Sequence, residues 1–416
     1  MSAVRPAASR SARASRPVAM LVHAYYEEDP RVRREAEALV AAGRRVVVYA
    51  LRQPGSATRE RLAGVEVRRL DIRRHQGAPL SRYLVEYVGF FARAGVALTR
   101  DHRRERYAVV QVHSLPDFLV GAALPLRLSG VPVILDLHEA MPDFFRHRFP
   151  RAANPVAHRA LLLQERISLG LADAVLTVND ALGERLLGLG LPARKLTIIR
   201  NAPSLARFDP AQHALRPFMA DGTLRLVYAG ALSPTYELDV AIRAIAVLAG
   251  TRPGLPVAFE VYGRDFGEVA LTGLARELGV ADRVHLAGRI PLEEVPAAIA
   301  AADIGLAPTR RNPFTEFSLS TKLLEYMAMG KPAVATRLPL VERSFAGGEV
   351  VAYEPGDPAD LAATILRLVD HPEERATQVA VASARVAELS WELEATRYLA
   401  LVEEVIASRA RRRPRS

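Results

Sequence analysis

The 416-residue chain contains no cysteine. Disulfides, thiolate metal sites and cysteine nucleophiles are thereby excluded, and the absence fits a reducing compartment. Lysine is almost missing too: it stands only at positions 195, 322 and 331, and arginine carries the remaining basic charge. Aromatic residues make up 6% with a single tryptophan, and they form no stacking clusters among the arginines, which argues against a nucleic-acid binder. No apolar run reaches the roughly 18 uncharged residues of a spanning helix, and residues 1–16 lack the apolar centre of a secretion signal. No G-x-G-x-x-G follows the first predicted strand, against a nicotinamide-dependent enzyme. Neither a D-x-D nor a histidine-rich cluster signals a metal, so none is expected.

What is present is an ordinary globular composition, 50% hydrophobic and 25% charged, in a chain too long for one growing core. Two domains are expected. Much of the net charge of +10 sits in the basic, small-residue ends, 1–16 and 409–416, which read as disordered tails. From Pro17 onward short apolar runs alternate with helical patterns, the signature of parallel α/β sheets. "VAMLVHA" and "RRVVVYA" read as the first two strands. Between them Asp29 is placed to cap a helix, Pro30 suits its first turn and Gly43 closes it. The pattern pauses at the proline-punctuated "NAPSLARFDPAQHALRPFMADG" and restarts at "LRLVYAG". The reading is a first Rossmann-like domain over 17–205, a second over 206–385, and a terminal helix over 386–408 whose apolar face is free to pack on either domain, back on the first included. Ligands are expected in the cleft between them, at the C-terminal ends of the strands.

The stretch "STKLLEYMAMGKPAVAT", residues 320–336, carries two of the three lysines. Ser318 or Ser320 is placed to cap a helix whose free amides, near Thr321 and Lys322, point at an anion position where Lys322 adds charge. Glu325, about one turn further, is placed to accept hydrogen bonds from ribose hydroxyls. Spacing alone does not separate this from an amphipathic helix with a solvated Lys–Glu pair.

The block "KLLEYMAMGKPAVAT" resembles the donor-site signature of retaining glycosyltransferases of family 4, with the GT-B fold. "DPRVRREAEALVAAG", "LDLHE", "ADAVLTVND", "IRNAP", "LVYAGALSP" and "VYGRD" match the same family in order, over roughly residues 17–405. The resemblance implies transfer of a sugar from a nucleoside diphosphate to an acceptor hydroxyl, with retention and without metal, in glycan, glycolipid or cell-surface polysaccharide synthesis. It implies that Glu325 holds the ribose, that the amides of Thr321 and Lys322 hold the diphosphate, that Gly230 allows close backbone approach, and that His138 stands at the reaction centre.

Two departures stand out. A second family glutamate falls at Phe317, with Glu316 one residue away. The phosphate-neutralising Arg and Lys of many members fall at Ala231 and near Glu237. Lys322 and then Arg264 are the candidates to neutralise the departing diphosphate. Arg31 is a candidate for a donor or acceptor phosphate, and His113 and Asp117 for the acceptor. The helical segment 82–100 combines apolar and basic faces suited to anionic lipid and a lipid-linked acceptor, and equally to core packing with an exposed basic turn. A cytoplasmic location is expected, with peripheral contact at the inner membrane face. A silent GT-B scaffold and an epimerase or phosphorylase of the same fold are the alternatives.

Overall fold

The computed structural model describes residues 16–74, 79–263 and 267–412. Of the two tails expected to be disordered, residues 1–15 and 413–416 lie outside the described residues, as does Arg264. Residues 409–412 instead continue the terminal helix Trp391–Arg412, a correction to the second tail's expected start.

The first sheet is built from Val18–Leu21 (β1), Val46–Leu51 (β2), Arg59–Leu62 (β3), Val65–Leu70 (β4), Val109–His113 (β5), Val133–Leu137 (β6), Ala174–Thr177 (β7) and Leu196–Ile198 (β8). Their order is β3-β4-β2-β1-β5-β6-β7-β8, parallel throughout except for the β3–β4 hairpin. The strands β1, β2, β5 and β6 are buried at every position because helices cover both faces, so they read as continuous apolar runs rather than alternating ones. The β3–β4 hairpin has no counterpart in the sequence reading: "RERL" is polar and exposed, and only "VEVRRL" shows a strand's alternation.

The second sheet contains Leu224–Ala229 (β9), Val257–Tyr262 (β10), Val284–Gly288 (β11), Ile304–Ala307 (β12), Ala333–Thr336 (β13) and Val351–Tyr353 (β14). Its order, β11-β10-β9-β12-β13-β14, is wholly parallel. In both sheets the winding reverses beside the first strand, between β1 and β5 and between β9 and β12. Loops diverge there and leave a crevice at the carboxyl ends of the strands.

Each sheet carries apolar clusters on its two faces. On one face of the first sheet Phe90, Ala94 and Leu98 of helix Leu80–Glu105 pack with Leu119, Leu126 and Leu169. On the other, Val32, Ala36 and Leu39 of helix Pro30–Ala41 meet Trp391, Tyr398 and Val402 of helix Trp391–Arg412. The terminal helix thus returns to the first domain, where Glu394 lies 3.6 Å from Arg200 and the Trp391 amide donates to Pro203. The division expected at residue 386 falls inside helix Pro372–Glu388, which packs on helix Thr321–Ala328 of the second domain; the chain turns at Leu389–Ser390.

Candidate active site

A cleft of about 2520 Å³ separates the two domains. Arg31 and His138 line it from the first domain; Gly230, Ser320, Thr321, Lys322 and Glu325 line it from the second. Residues up to 294 positions apart in sequence therefore meet because two switch points face each other.

On the second domain's wall, helix Thr321–Ala328 begins without a side-chain cap: Ser320 occupies the capping position and makes no such hydrogen bond. Its first amides are left facing the cleft with the positive end of the helix dipole. The Lys322 side chain is buried under the β9 loop, its ammonium 4.9 Å from the Tyr228 ring centre and 4.2 Å from that of Tyr236. Two aromatic faces hold the cation without neutralising it. Gly230 leaves room for it: a Cβ there would stand 2.3 Å from the Lys322 Cε and would push the lysine out of this position. Glu325 is half-buried. Withdrawal from water raises its pKa, and Lys322, Arg207 and Arg34 act in the opposite sense. Arg207 lines the same cleft from the linker, where no motif marked it.

On the opposite wall, Asp29 caps helix Pro30–Ala41, accepting from the Arg31 and Val32 amides at 3.0 and 3.4 Å. Its carboxylate also accepts two hydrogen bonds from the Arg31 guanidinium, each 3.2 Å. Burial opposes ionisation of Asp29, but Arg31 overcomes it and holds the pKa well below the usual range. Arg31 is thereby fixed at the cleft surface.

Behind this wall lies a buried triad. The Asp136 Oδ2 is 2.8 Å from His113 Nδ1 and 3.2 Å from His138 Nε2, and the two imidazoles stack with ring centres 5.7 Å apart. Burial lowers the His138 pKa more than Asp136 restores it, so His138 is neutral near pH 7. In His113 burial also acts downward, but the Asp136 hydrogen bond and charge prevail and raise the pKa. With Asp136 ionised and accepting from His138 Nε2–H, the lone pair of His138 Nδ1, buried without a partner, is the free hydrogen-bonding position. These three residues are also the group among those described whose spacing would hold a metal ion. Sequence spacing gave no sign of it, because the ligands come from two neighbouring strand ends.

Not every candidate reaches the cleft. Asp117 is wholly buried, with both carboxylate oxygens unpartnered, and burial pushes its pKa well up. His113 is likewise enclosed, and touches the site only through Asp136 and His138. Glu316 turns to the surface, where Arg311 approaches within 3.3 Å, while Phe317 faces the cleft and its carbonyl accepts from Asn179 of the first domain at 2.9 Å. A one-residue offset on the short helical turn Thr315–Phe317 is enough to point the carboxylate away. An aromatic wall went unseen in the sequence. Tyr83, Tyr87 and Phe149 line one end of the cleft, and Phe144 and His147 pack on Phe314 across the domain gap at 5.7 Å each.

Two parallel-sheet domains opposed across a cleft, with an uncapped helix and a glutamate one turn along, define a GT-B glycosyltransferase. Residues 29–202 match the family model described as a glycosyl transferase 4-like domain, and residues 223–371 match glycosyl transferases group 1. The chain belongs to this family of retaining, nucleotide-sugar-dependent glycosyltransferases. Among curated relatives, it is 26% identical to a D-inositol 3-phosphate glycosyltransferase of Thermobispora bispora over 72% of this chain and 71% of the relative. It is 26% identical to an alpha-D-kanosaminyltransferase of Streptomyces kanamyceticus over 69% of this chain and 76% of the relative. Among solved structures, the sucrose-phosphate synthase of Thermosynechococcus elongatus superposes with a TM-score of 0.76 at 19% identity, covering 94% of this chain and 100% of that one. The Anabaena protein HepE in complex with UDP-glucose gives 0.68 at 16% identity, covering 93% and 99%.

Proposed function

We propose that the chain transfers a hexose from a nucleoside diphosphate to an acceptor hydroxyl in glycan, glycolipid or polysaccharide synthesis, without a metal ion. The observation that carries this reading is the uncapped helix start with Lys322 beside it and Glu325 one turn further, all on one cleft wall. Glu325 takes the ribose hydroxyls. The amides of Thr321 and Lys322 take the diphosphate. The bond between the anomeric carbon and the diphosphate oxygen breaks, and the acceptor oxygen bonds to the same face of that carbon. The acceptor proton passes to the departing phosphate oxygen, so no protein nucleophile is needed. Charge developing on the diphosphate meets the helix amides and the Lys322 ammonium, which are already in place and need no reorganisation. Arg207 is a further source of positive charge in place of the arginine missing at Ala231. His138, neutral and held by Asp136, offers Nδ1 to a hydroxyl of the transferred sugar.

The HepE complex with UDP-glucose makes UDP-hexoses the first donors to try. Calorimetric titration with UDP, GDP, ADP and their sugar conjugates, without metal, is expected to give saturable binding of one nucleoside diphosphate. Glu325→Ala and Lys322→Ala should each weaken it by about 1–3 kcal/mol, the range for a lost charge-assisted hydrogen bond. Unchanged affinity in both folded variants would remove the site assignment. Phe317 and Ala231 favour a second reading, a scaffold that keeps the donor without turning it over. Donor binding with no release of free nucleoside diphosphate in the presence of candidate acceptors would establish that one.

A further inference from the structure

Exposed apolar side chains are concentrated on one layer of the first domain. Among the described residues thirteen large hydrophobic side chains are exposed, and nine of them belong to three helices covering the same sheet face: Leu80–Glu105, Leu124–Leu128 and Pro155–Leu171. They are not scattered. At 3.6 residues per turn Val85, Val88, Ala92 and Val96 fall in one line along the outer side of the first helix, opposite the buried Phe90, Ala94 and Leu98. Val156, Ala160, Leu163 and Ile167 form the matching line on the third.

The charge on this layer has one sign. Glu86, Asp101 and Glu165 are buried, and Glu105 is half-buried and ion-paired. Every exposed charge on the three helices is an arginine. On the first helix Arg82, Arg93, Arg100 and Arg104 lie along one flank of the apolar line and Arg103 extends it; on the third, Arg159 and Arg166 flank the line. An apolar stripe bordered by cations only is the surface of a helix lying in the headgroup region of an anionic bilayer, where each basic residue adds attraction that salt screens. Arg100 also donates to the buried Asp101 at 2.9 Å, but a soluble protein partner of ordinary charge would set no matching negative surface against this arginine border, and two copies of the same face would repel.

The layer also adjoins the cleft. The first turns of helix Leu80–Glu105 send Tyr83 and Tyr87 into the cleft wall while Val85 and Val88 face out, and Arg148 and Phe149, just before the third helix, line the same end. No described helix is long and apolar enough to cross a membrane, so attachment through this layer is superficial. We infer that the outer side of helices Leu80–Glu105 and Pro155–Leu171 docks on an anionic lipid bilayer, so that the aromatic end of the cleft opens at the headgroups and receives an amphiphilic acceptor. The acceptor class rests on the transferase reading above; the docking does not.

Flotation of the full chain with phosphatidylcholine vesicles, and with vesicles containing phosphatidylglycerol, tests this. The protein should float with the anionic vesicles only, and less as salt is raised. The combined variant Val85→Glu, Val88→Glu, Leu163→Glu changes side chains already 74%, 57% and 60% exposed, so folding should be unaffected. It should lose at least about tenfold in vesicle partitioning. Val269→Glu, on a helix of the second domain and 85% exposed, should float as wild type does. Equal flotation of the triple variant, equal flotation with both lipids, or none with either overturns the inference. So does a wild-type dimer that the triple variant dissolves while vesicles bind neither. Nucleoside diphosphate titration on the same samples separates the two readings: retained nucleotide binding with no flotation removes the docking surface alone.

Discussion

Glu35 shows how far a single side chain departs from what its place in a helical pattern implies. Its spacing on helix Pro30–Ala41 does not distinguish it from the half-buried Glu37, yet its carboxyl is buried against Gln111, whose Nε2 donates at 2.6 Å, and near Asp136. Burial, with the Asp136 charge adding to it, pushes its pKa from 4.5 up to about 8. The folded chain then keeps a proton that the unfolded chain releases above pH 4.5. This stability is complete below pH 4.5 and lost as pH rises through about 8. Denaturant unfolding across that window should show wild-type stability falling with pH, and Glu35→Gln, which keeps an acceptor for Gln111 and removes the proton, should give a flatter slope. An equally steep slope in the variant would assign the proton to another group. The donor residues were more legible than Glu35, because Lys322 and Glu325 stand in an ordered motif. Arg207 and the His113–Asp136–His138 triad were not, because their neighbours lie on other strands.

At the scale of elements, the terminal helix Trp391–Arg412 matters most. Its capped, amphipathic sequence announces a helix, but an apolar face does not say which domain it covers. Tyr398 decides this: its ring is fully buried under the first sheet and its hydroxyl donates to Gln111 Oε1 at 2.6 Å, which links the helix to Glu35. Tyr398→Phe should cost about 1–3 kcal/mol by leaving a buried acceptor unpaired, and Tyr398→Ala about 3–5 kcal/mol by opening a cavity. Chemical denaturation followed by the fluorescence of Trp391, the sole tryptophan and part of the same cluster, reads both. A loss below about 0.5 kcal/mol in Tyr398→Ala would mean that the helix is only loosely attached. The β3–β4 hairpin is the opposite case, an edge element whose polar sequence carried little signal because it buries little.

For the whole molecule, the two domains meet through few and mostly polar contacts around the cleft. Glu28 pairs with Arg289 at 2.6 Å, Asn179 donates to the Phe317 carbonyl, and Phe144 and His147 pack on Phe314. Such an interface leaves relative domain motion as the default. Phe314→Ala removes the aromatic part of it without touching either core. Small-angle scattering of the free protein should then give a larger radius of gyration, thermal stability should change little, and nucleoside diphosphate should return the variant toward the wild-type value. An unchanged radius would show that the polar contacts alone hold the cleft closed.

The sequence by itself determined the class of fold, the helix bearing Lys322 and Glu325, and the family. These depend on local periodicity, on caps such as Asp29 and on a contiguous motif, all written within a few turns of chain. Tertiary structure alone decided that Arg31, His138, Gly230 and Glu325 share one cleft and that Glu316 and Asp117 do not. It also decided that the terminal helix covers the first domain and that the apolar lines of two helices face outward together. Each of these depends on which strand ends meet at a switch point and which helix faces remain uncovered after the sheets are packed. That is set by contacts between residues far apart in the chain, and no local pattern contains it.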